Sequence, residues 1–281
     1  YELVDNEDDV EIQASICRFW VSETSVIVSI HLTKQASQLS FQLDQLLTLL
    51  KKKRPRQVAN GIISSFSLSE LVSTDDKSLF DASKRYRTTI KYLDQSCGLS
   101  LPVYSVFSEL SAVADFCEIF STLDENLREK PFGALMAVEN KSGFDKAWFA
   151  NSFDEIQRNL ANSITVFLKK QLNTKYRESL VAGIFQINAL KTDIEQFLTQ
   201  TFEEHHYDDK PIRFRGYFFV NSGAEKNQTD ILTMVHSSDL GYERLKHTTA
   251  SKSSLSLFGK NVLRRCIILE SDLVGVNVRK E

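Results

Sequence analysis

The sequence predicts an α/β fold in which a mostly parallel sheet is interrupted by a helical subdomain. Short β-rich runs alternate with longer helical patterns through the first half of the chain, as in sheets built from strand–helix–strand units. Residues 151–204 then carry two apolar stripes at helical spacing and no strand pattern. A strand pattern returns at IRFRGYFFVNSG, residues 212–223. We therefore predict an α/β core at residues 1–140, a helical subdomain at 141–210, and a last core strand with C-terminal helices at 211–281.

The composition is that of a globular protein with a sizeable core. The 281 residues are 42% hydrophobic and 25% charged, and the net charge of −3 is too mild to favour a nucleic-acid partner. The four cysteines are scattered without a CxxC pair, which indicates reduced thiols and no metal site. No apolar run approaches the roughly 20 residues that a membrane-spanning helix needs. Because the first residue is not Met, we expect a piece of a longer protein.

The first predicted elements are a β-hairpin and a helix. FWVSETSVIVSIH contains two β-rich runs around a turn at Ser22–Ser25. A helix is predicted from Ser40 to Lys53, because leucines recur there on one face. It ends in KKKRPR, where the cations suit the negative end of the helix dipole and Pro55 stops the helix.

Strands and helices then alternate. ANGIISSFSL and LPVYSVF are continuous apolar strands of the kind that is covered on both faces, and helices follow them over residues 76–95 and 112–123. In residues 151–204, two antiparallel helices should pack against the sheet. An antiparallel strand is expected near residues 19–21. The remaining strands are predicted to form one predominantly parallel sheet from Val4 and residues 26–30, 62–66, 103–107 and 214–219.

Three stretches of the chain carry a family resemblance. KKKRPRQVANGIISSFSLSEL is similar to a basic-Pro segment leading into NGVI and a Ser-Leu-x-(Asp/Glu)-Leu end. LPVYSVFSELSAVADFCEIFSTLDENLRE is similar to a strand LPVY, a loop, a Phe-rich helix and an acidic-Arg segment. RFRGYFFVNSG is similar to an RGxYFxSG strand, and LFGKNVLRRCIILESDLVGVN follows it at a fitting distance. In this order the three stretches resemble the TssM/IcmF family, the inner-membrane core component of bacterial type VI secretion systems.

The resemblance implies a fold, a location and partners. The fold would be a degenerate Ras-like P-loop NTPase-type fold with a helical extension subdomain. The domain would lie on the cytoplasmic side of the bacterial inner membrane, with transmembrane helices before and after it. The implied partners are the TssL (DotU-like) inner-membrane protein, baseplate components, and the TssJ lipoprotein through an absent periplasmic region.

The resemblance aligns the start of the chain with a P-loop. Such a loop needs glycines whose N–H groups cradle phosphates, a Lys for the β/γ phosphates and a Ser/Thr hydroxyl for Mg²⁺. In YELVDNEDDVEI the glycine positions hold Asp5, Asp8 and Val10, the Lys position Glu11 and the Ser/Thr position Ile12. Carboxylates there would repel phosphate. Between residues 11 and 17, either a deletion has removed a helix and switch region or a segment is missing from the sequence.

Two further nucleotide motifs are altered in the same way. SVIVSIHL resembles a strand ending in D-T-A-G, with Ser29 at the Mg²⁺-contacting Asp and Leu32 at the γ-phosphate-sensing Gly. VFSELS resembles the base-reading (T/N)-K-x-D loop, with Glu109 at the Lys and Ser111 at the Asp. The resemblance thus implies a pseudo-NTPase with no cofactor and no enzymatic activity. The alternatives are a working NTPase switch, or a different small ligand in the vacated pocket.

Two other groups of polar residues are candidate sites. His205 and His206, beside two aspartates, are interpreted as a solvated helix end and not as a metal site, because no further ligands cluster at a suitable spacing. Arg213 and Arg215 lie on a predicted strand and are expected to pair with acids across the sheet.

The basic segment, defined as Lys51, Lys52, Lys53, Arg54 and Arg56, allows two interpretations. It can be a helix C-terminal cap, or it can contact anionic lipid or an acidic partner.

Together these inferences predict a non-catalytic cytoplasmic scaffold domain that links the inner-membrane complex to the cytosolic baseplate. The alternative function is a nucleotide-binding NTPase switch domain that regulates assembly of the secretion complex.

Overall fold

The computed structural model describes most of the chain, which forms two compact units. One unit comprises Tyr1–Val58 and Asn277–Glu281, and the other comprises Ala59–Val276. The predicted boundaries at residues 140 and 210 stay predictions. The predicted strand residue Val4 and the P-loop positions Asp5, Asp8, Val10, Glu11 and Ile12 lie outside the described residues, as do Leu32, His205 and His206. The described residues are 17–22, 25–31, 36–121, 128–139, 143–170, 174–204, 210–223, 227–234, 248–250 and 256–274.

The first unit contains the predicted hairpin. Strands β1 (Cys17–Val21) and β2 (Val26–Ile30) pair antiparallel along their whole length, and the turn between them is closed by the Ser22 N–H, which donates to the Ser25 carbonyl at 2.8 Å. The prediction that residues 26–30 join the main sheet was wrong, because β2 lies in a separate two-stranded sheet with β1. The short connection favours this local pairing, since closing a short loop costs less entropy than pairing with a strand much later in the chain.

Helix α1 (Ala36–Lys53) follows in the same unit and begins four residues earlier than predicted. Its apolar stripe Leu43, Leu46 and Leu47 is buried. The last helical bond runs from the Arg54 N–H to the Leu50 carbonyl at 2.7 Å, after which Pro55 prevents continuation of the helix.

The second unit is built on a four-stranded sheet in the order β3-β4-β6-β5. Strands β3 (Ile62–Ser67), β4 (Val103–Ser108) and β6 (Phe214–Phe219) are parallel, which confirms the prediction that these three share one sheet. Strand β5 (Phe132–Leu135) was not predicted and pairs antiparallel with β6 at the edge. The α/β class is therefore confirmed, with a sheet that is parallel in its larger part.

The helices of this unit have ends that follow from their sequence. Helix α3 (Asp76–Cys97), for example, begins after Asp75, whose carboxylate accepts from the Ser78 N–H at 3.3 Å, and it ends before Gly98, which adopts φ 67°. Within the described ranges, the α-helices between β3 and β6 are α2 (Leu68–Ser73), α3 (Asp76–Cys97), α4 (Phe116–Ser121), α5 (Lys146–Lys170), α6 (Thr174–Ala189) and α7 (Lys191–Phe202).

Two helix predictions need correction. The helix expected over residues 112–123 is instead a 3₁₀ turn (Leu110–Ala112) followed by α4, because Asp115 adopts φ 60° and interrupts the helix. The two-helix hairpin expected over residues 151–204 is instead three helices, α5 to α7. The break between α6 and α7 lies at Leu190, whose N–H bonds to the Ile187 carbonyl three residues back, tightening the turn.

One apolar core joins the sheet to these helices. Phe66 of β3 stacks on Phe197 of α7 with ring centroids 4.3 Å apart, and Phe107 of β4 stacks on Phe219 of β6 at 5.6 Å. All four side chains are buried. Aromatic contacts of this kind add to the burial of apolar area that holds α7 on the sheet.

The remaining elements follow β6. Strand β7 (Asn221–Ser222) pairs with β10 (Ser256–Leu257), and β8 (Asn227–Thr229) pairs with β9 (Thr248–Ala250). A helical turn (Gly259–Asn261), a π-helix (Val262–Ile267) and a 3₁₀ turn (Ser271–Val274) then form what we name the C-terminal segment, residues 259–274. Among the helices of the described part of the chain, none is both long and apolar enough to cross a membrane.

Candidate functional site

The ends of three strands bring the altered base-reading loop to one edge of the sheet. Ser67 at the end of β3 lies opposite Ser108 at the end of β4, and Phe107 lies opposite Phe219 at the end of β6. Because these strands are parallel, the loops that follow them meet at the same edge, where open α/β sheets commonly bind ligands. We name this the carboxyl edge and define it by Ser67, Ser69, Glu109, Ser111 and Asn221.

Glu109 directs its carboxylate to the neighbouring strand end. Its Oε2 accepts from the hydroxyls of Ser67 and Ser69, each at 2.5 Å. The two hydroxyl oxygens are themselves 2.7 Å apart, and the Ser67 side chain also caps α2 by accepting from the Glu70 N–H at 3.4 Å. Glu109 adopts the left-handed conformation, with φ 65°, which is uncommon for a residue with a side chain. The carboxylate thus ties the loop after β4 to the start of α2.

Ser111 is held in place through its backbone. It is buried, and its N–H donates to the Oδ1 of Asn221, which is also buried, at 3.1 Å. The Leu110 N–H reaches the Val220 carbonyl at 3.4 Å. The loop after β4 is therefore bonded to the chain that leaves β6 on one side and to the chain that leaves β3 on the other.

Several polar groups of the carboxyl edge bond to one another. The Glu109 carboxylate accepts from both serine hydroxyls, and hydrogen bonds to a charged acceptor are stronger than bonds between neutral groups. The described residues contain no group of three or more His, Cys, Asp or Glu side chains placed to hold a metal ion. These bonds connect the loops that follow β3, β4 and β6.

The other predicted site residues lie in the first unit or outside the described ranges. Ser29 is half-buried within β2, opposite Arg18 of β1, and belongs to the strand instead of a following loop. In the basic segment, Lys51 is half-buried and Lys52, Lys53, Arg54 and Arg56 are exposed. The carboxyl edge thus brings together two of the predicted positions, Glu109 and Ser111, which both belong to one motif.

A second polar cluster, which we name the clasp, joins Arg215, Glu270 and Tyr104. Arg215 binds Glu270 in a bidentate manner, with Nε to Oε2 at 3.0 Å and Nη2 to Oε1 at 2.7 Å, while its Nη1 donates to the Ala137 carbonyl at 2.9 Å. The Tyr104 hydroxyl donates to Glu270 Oε2 at 2.6 Å. The side chain of Arg215 is only 1% exposed and that of Glu270 is 16% exposed. Few proteins bury an arginine this completely without such a partner.

The geometry of β6 explains why Arg215 lies in the clasp. Val103 is opposite Phe214 and Tyr104 is opposite Gly216, so that Arg215 is the extra residue of a β-bulge. Tyr104 and Phe218 of this sheet pack against Val262 and Cys266 of the C-terminal segment. Arg213 supports the same contact, because its Nη1 donates to the Leu273 carbonyl at 2.6 Å.

The clasp shifts the pKa values of its members. Burial by itself would raise the pKa of Glu270, but hydrogen bonds from Arg215 and Tyr104 outweigh it, so that the pKa of this carboxyl lies below its ordinary value. The hydrogen bond to Glu270 raises the pKa of Arg215 against the opposing effect of burial. Burial, followed by the bond to Glu270, raises the pKa of the Tyr104 phenol. Glu270 is therefore ionised and Tyr104 is neutral in the folded protein near neutral pH.

The expected pairing of the two strand arginines needs correction. Arg215 does pair with an acid, but Glu270 lies on the C-terminal segment and not across the sheet, and Arg213 bonds to a backbone carbonyl. The extra residue in β6 places the guanidinium on the face that the C-terminal segment covers. The sequence signal was the arginine itself within an otherwise apolar strand, since a charged residue at such a position needs a buried partner.

A family model described as IcmF-related N-terminal domain matches residues 38–281. The chain belongs to this IcmF-related family. The resemblance to TssM/IcmF proteins inferred from three sequence stretches is thereby confirmed. No solved structure matches the chain.

A curated relative extends this assignment of the IcmF-related chain. The chain is 24% identical over 274 residues to the type VI secretion system component TssM1 of Pseudomonas aeruginosa. The match covers 94% of this chain and 25% of the relative, so the IcmF-related chain corresponds to about a quarter of that protein's length.

Proposed function

We propose that this chain is a non-catalytic cytoplasmic scaffold domain of a type VI secretion membrane-complex protein, linking the inner-membrane complex to the cytosolic baseplate. The observation that carries the proposal is the similarity to the secretion component TssM1 over nearly the whole chain. The proposed partners are a TssL (DotU-like) inner-membrane protein and baseplate components, with the TssJ lipoprotein reached through a periplasmic region outside this sequence.

The arrangement at the carboxyl edge supports the non-catalytic part of the proposal. We propose that β3, β4 and β6 correspond to three neighbouring strands of a Ras-like sheet, which places Glu109 and Ser111 in the base-reading loop. Glu109 is then engaged by Ser67 and Ser69, and its carboxylate stands where a cation would pack on a base. Binding of a nucleotide base would break these hydrogen bonds and would place the base beside the negative charge of Glu109. This arrangement favours a scaffold over a nucleotide-driven switch.

Two experiments test the proposal. Titration calorimetry with ATP or GTP and Mg²⁺ should give no binding heat up to millimolar nucleotide, and saturable micromolar binding would overturn the pseudo-NTPase assignment. Co-purification should recover TssL-like and baseplate proteins with the 281-residue chain. The matched control is the variant Glu109→Lys, which restores a cation in the loop. If this variant alone gained nucleotide binding, Glu109 would be the barrier to binding, and the inference that the other altered motif positions also exclude a nucleotide would be wrong.

A further inference from the structure

The solvent-facing side of helix α1 carries two large apolar side chains. Phe41 is 63% exposed and Leu49 is 51% exposed, although the opposite side of the helix is buried through its leucine stripe. Gln45 lies between them, and Lys52 follows one turn after Leu49. Residues at spacings of four, four and three lie on one side of a helix, so these four side chains form a stripe about 16 Å long. We name this stripe the outer face of α1.

The basic segment continues this face at its C-terminal end. Between Asp44 and Glu70 the sequence contains five cations and no acid, and all five cations lie in residues 51–56. Four of them are exposed and the fifth, Lys51, is half-buried. A helix cap needs only one or two cations near the last carbonyls, so a cap accounts for a part of this charge and not for its density.

The outer face is a shallow surface formed by one helix. The shallow depression on it is lined by Phe41, Asp44, Gln45, Thr48, Leu49 and Lys52, and all six residues belong to α1. A partner helix is usually bound in a groove with walls from two elements, and hot-spot side chains are usually received in pockets. Among the described residues, no second element forms a wall beside the outer face, and a convex helix surface fits a broad, adaptable layer better.

We propose that the outer face of α1 and the basic segment bind an anionic lipid surface. Phe41 and Leu49 enter the headgroup region, where an aromatic ring and a branched apolar side chain are both favourable, while the cations meet the lipid phosphates. Clusters of four to eight Lys or Arg on an amphipathic helix are typical of binding to anionic lipids. Asp44 opposes this charge, but its single negative charge stands against five positive ones.

This inference rests on the proposed function in one respect, since a scaffold of a membrane complex has to meet a bilayer. Its test uses lipid alone, which keeps the two proposals separable. Loss of lipid binding with recovery of protein partners would refute the lipid surface and leave the scaffold. Lipid binding without recovery of any protein partner would support the lipid surface and refute the scaffold.

The experiment measures flotation of the 281-residue chain with vesicles. Vesicles of phosphatidylcholine mixed with phosphatidylglycerol are compared with vesicles of phosphatidylcholine alone, across a salt series. We expect binding to the anionic vesicles only, weakening as salt rises, because the Debye length falls to about 8 Å at physiological ionic strength. One cation near an anionic surface corresponds to about a fivefold change in partition, so Lys51→Glu, Lys52→Glu and Lys53→Glu together should weaken it about a hundredfold or more.

Matched control variants distinguish the effect of the outer face from the effects of net charge and of any exposed apolar side chain. Lys77→Glu, Lys84→Glu and Lys130→Glu change the same total charge at exposed positions elsewhere and should have a much smaller effect. Phe41→Ser should weaken binding several-fold at fixed charge, whereas Phe80→Ser, at a residue on α3 that is 52% exposed, should not. Circular dichroism verifies the fold of every variant.

Three results would overturn the proposal. The first is equal binding to neutral and anionic vesicles, and the second is equal effects of the two triple variants. The third is retention on immobilised polyglutamate without binding to anionic vesicles, which would assign the face to an acidic protein surface.

Discussion

Removing Glu270 should destabilise the second unit by much more than removing an exposed acid. In Glu270→Ala the guanidinium of Arg215, which is 1% exposed, keeps its bond to the Ala137 carbonyl but loses its counter-charge. Breaking a buried ion pair by deleting one partner costs about 3–5 kcal/mol, because the other charge is left uncompensated. The Tyr104 hydroxyl loses its acceptor in the same variant, and this loss is part of that total.

The assay is urea unfolding followed by Trp148 fluorescence in a Trp20→Phe background. Trp148 packs against Phe214 and Tyr217 of β6 and therefore reports on the strand that carries Arg215. With a urea dependence of about 2–3 kcal/mol per molar, the midpoint should fall by about 1–2.5 M. The matched control is Glu203→Ala, which removes a 3.4 Å ion pair with Lys146 whose two side chains are about half exposed. That change should cost at most about 1 kcal/mol.

A third variant separates the loss of a charge pair from the loss of packing. The combined variant Arg215→Met, Glu270→Met and Tyr104→Phe removes both charged members of the clasp together with the tyrosine hydroxyl, and the Ala137 carbonyl loses the bond from Arg215. Because well-packed apolar replacements of buried ion pairs are often neutral or stabilising, the triple variant should recover most of the stability. If Glu270→Ala unfolds at the same urea concentration as Glu203→Ala, the clasp does not hold the C-terminal segment and the reasoning fails.

Three further predictions concern pH, the carboxyl edge and the edge strand. The folded pKa of Glu270 lies below its ordinary value of 4.5. The stabilisation by Glu270 is therefore present above pH 4.5 and is lost as the pH falls through the folded pKa. When Glu270→Gln is unfolded at decreasing pH, this part of the acid-dependent loss of stability should be missing. Glu109→Ala leaves two hydroxyls without their acceptor and should cost about 1–3 kcal/mol in thermal unfolding, and an equal cost in a Ser67→Ala, Ser69→Ala background would contradict the bonding shown here. Gly216→Ala would place a Cβ 2.2 Å from the Ala134 carbonyl oxygen and should lower the melting temperature by several degrees, whereas Gly259→Ala, with no atom within 4 Å, should leave it nearly unchanged.

The elements with strong local patterns could be predicted from the sequence. The apolar runs at β3, β4 and β6 and the leucine stripe of α1 fix the elements, because continuous apolar strands need cover on both faces and a helix needs one buried side. Strand β5 escaped prediction because it is four residues long, follows Pro131 and contains Gly133, which are turn signals. Its strand geometry depends on β6, a partner that local sequence does not reveal.

The candidate sites divide in the same way. The resemblance located Glu109 and Ser111 in one loop, and the structure places both at the carboxyl edge. The bonds of Glu109 to Ser67 and Ser69 could not be predicted, since they join residues about 40 positions apart and depend on the register of two parallel strands. The partner of Arg215 was missed for a related reason. A β-bulge sets which face the side chain takes, and a one-residue insertion leaves no mark in an apolar pattern.

The residues of the clasp are synthesised at different times. Arg215 leaves the ribosome 55 residues before Glu270, and Tyr104 leaves 166 residues before it. At a synthesis rate of about 5–20 residues per second, β6 waits about 3–11 seconds for the carboxylate that allows its arginine to be buried. During that interval a strand rich in phenylalanine must stay open to water or to a chaperone. A messenger RNA with slow codons after residue 219 would lengthen this exposure and lower the yield of folded protein without changing one amino acid.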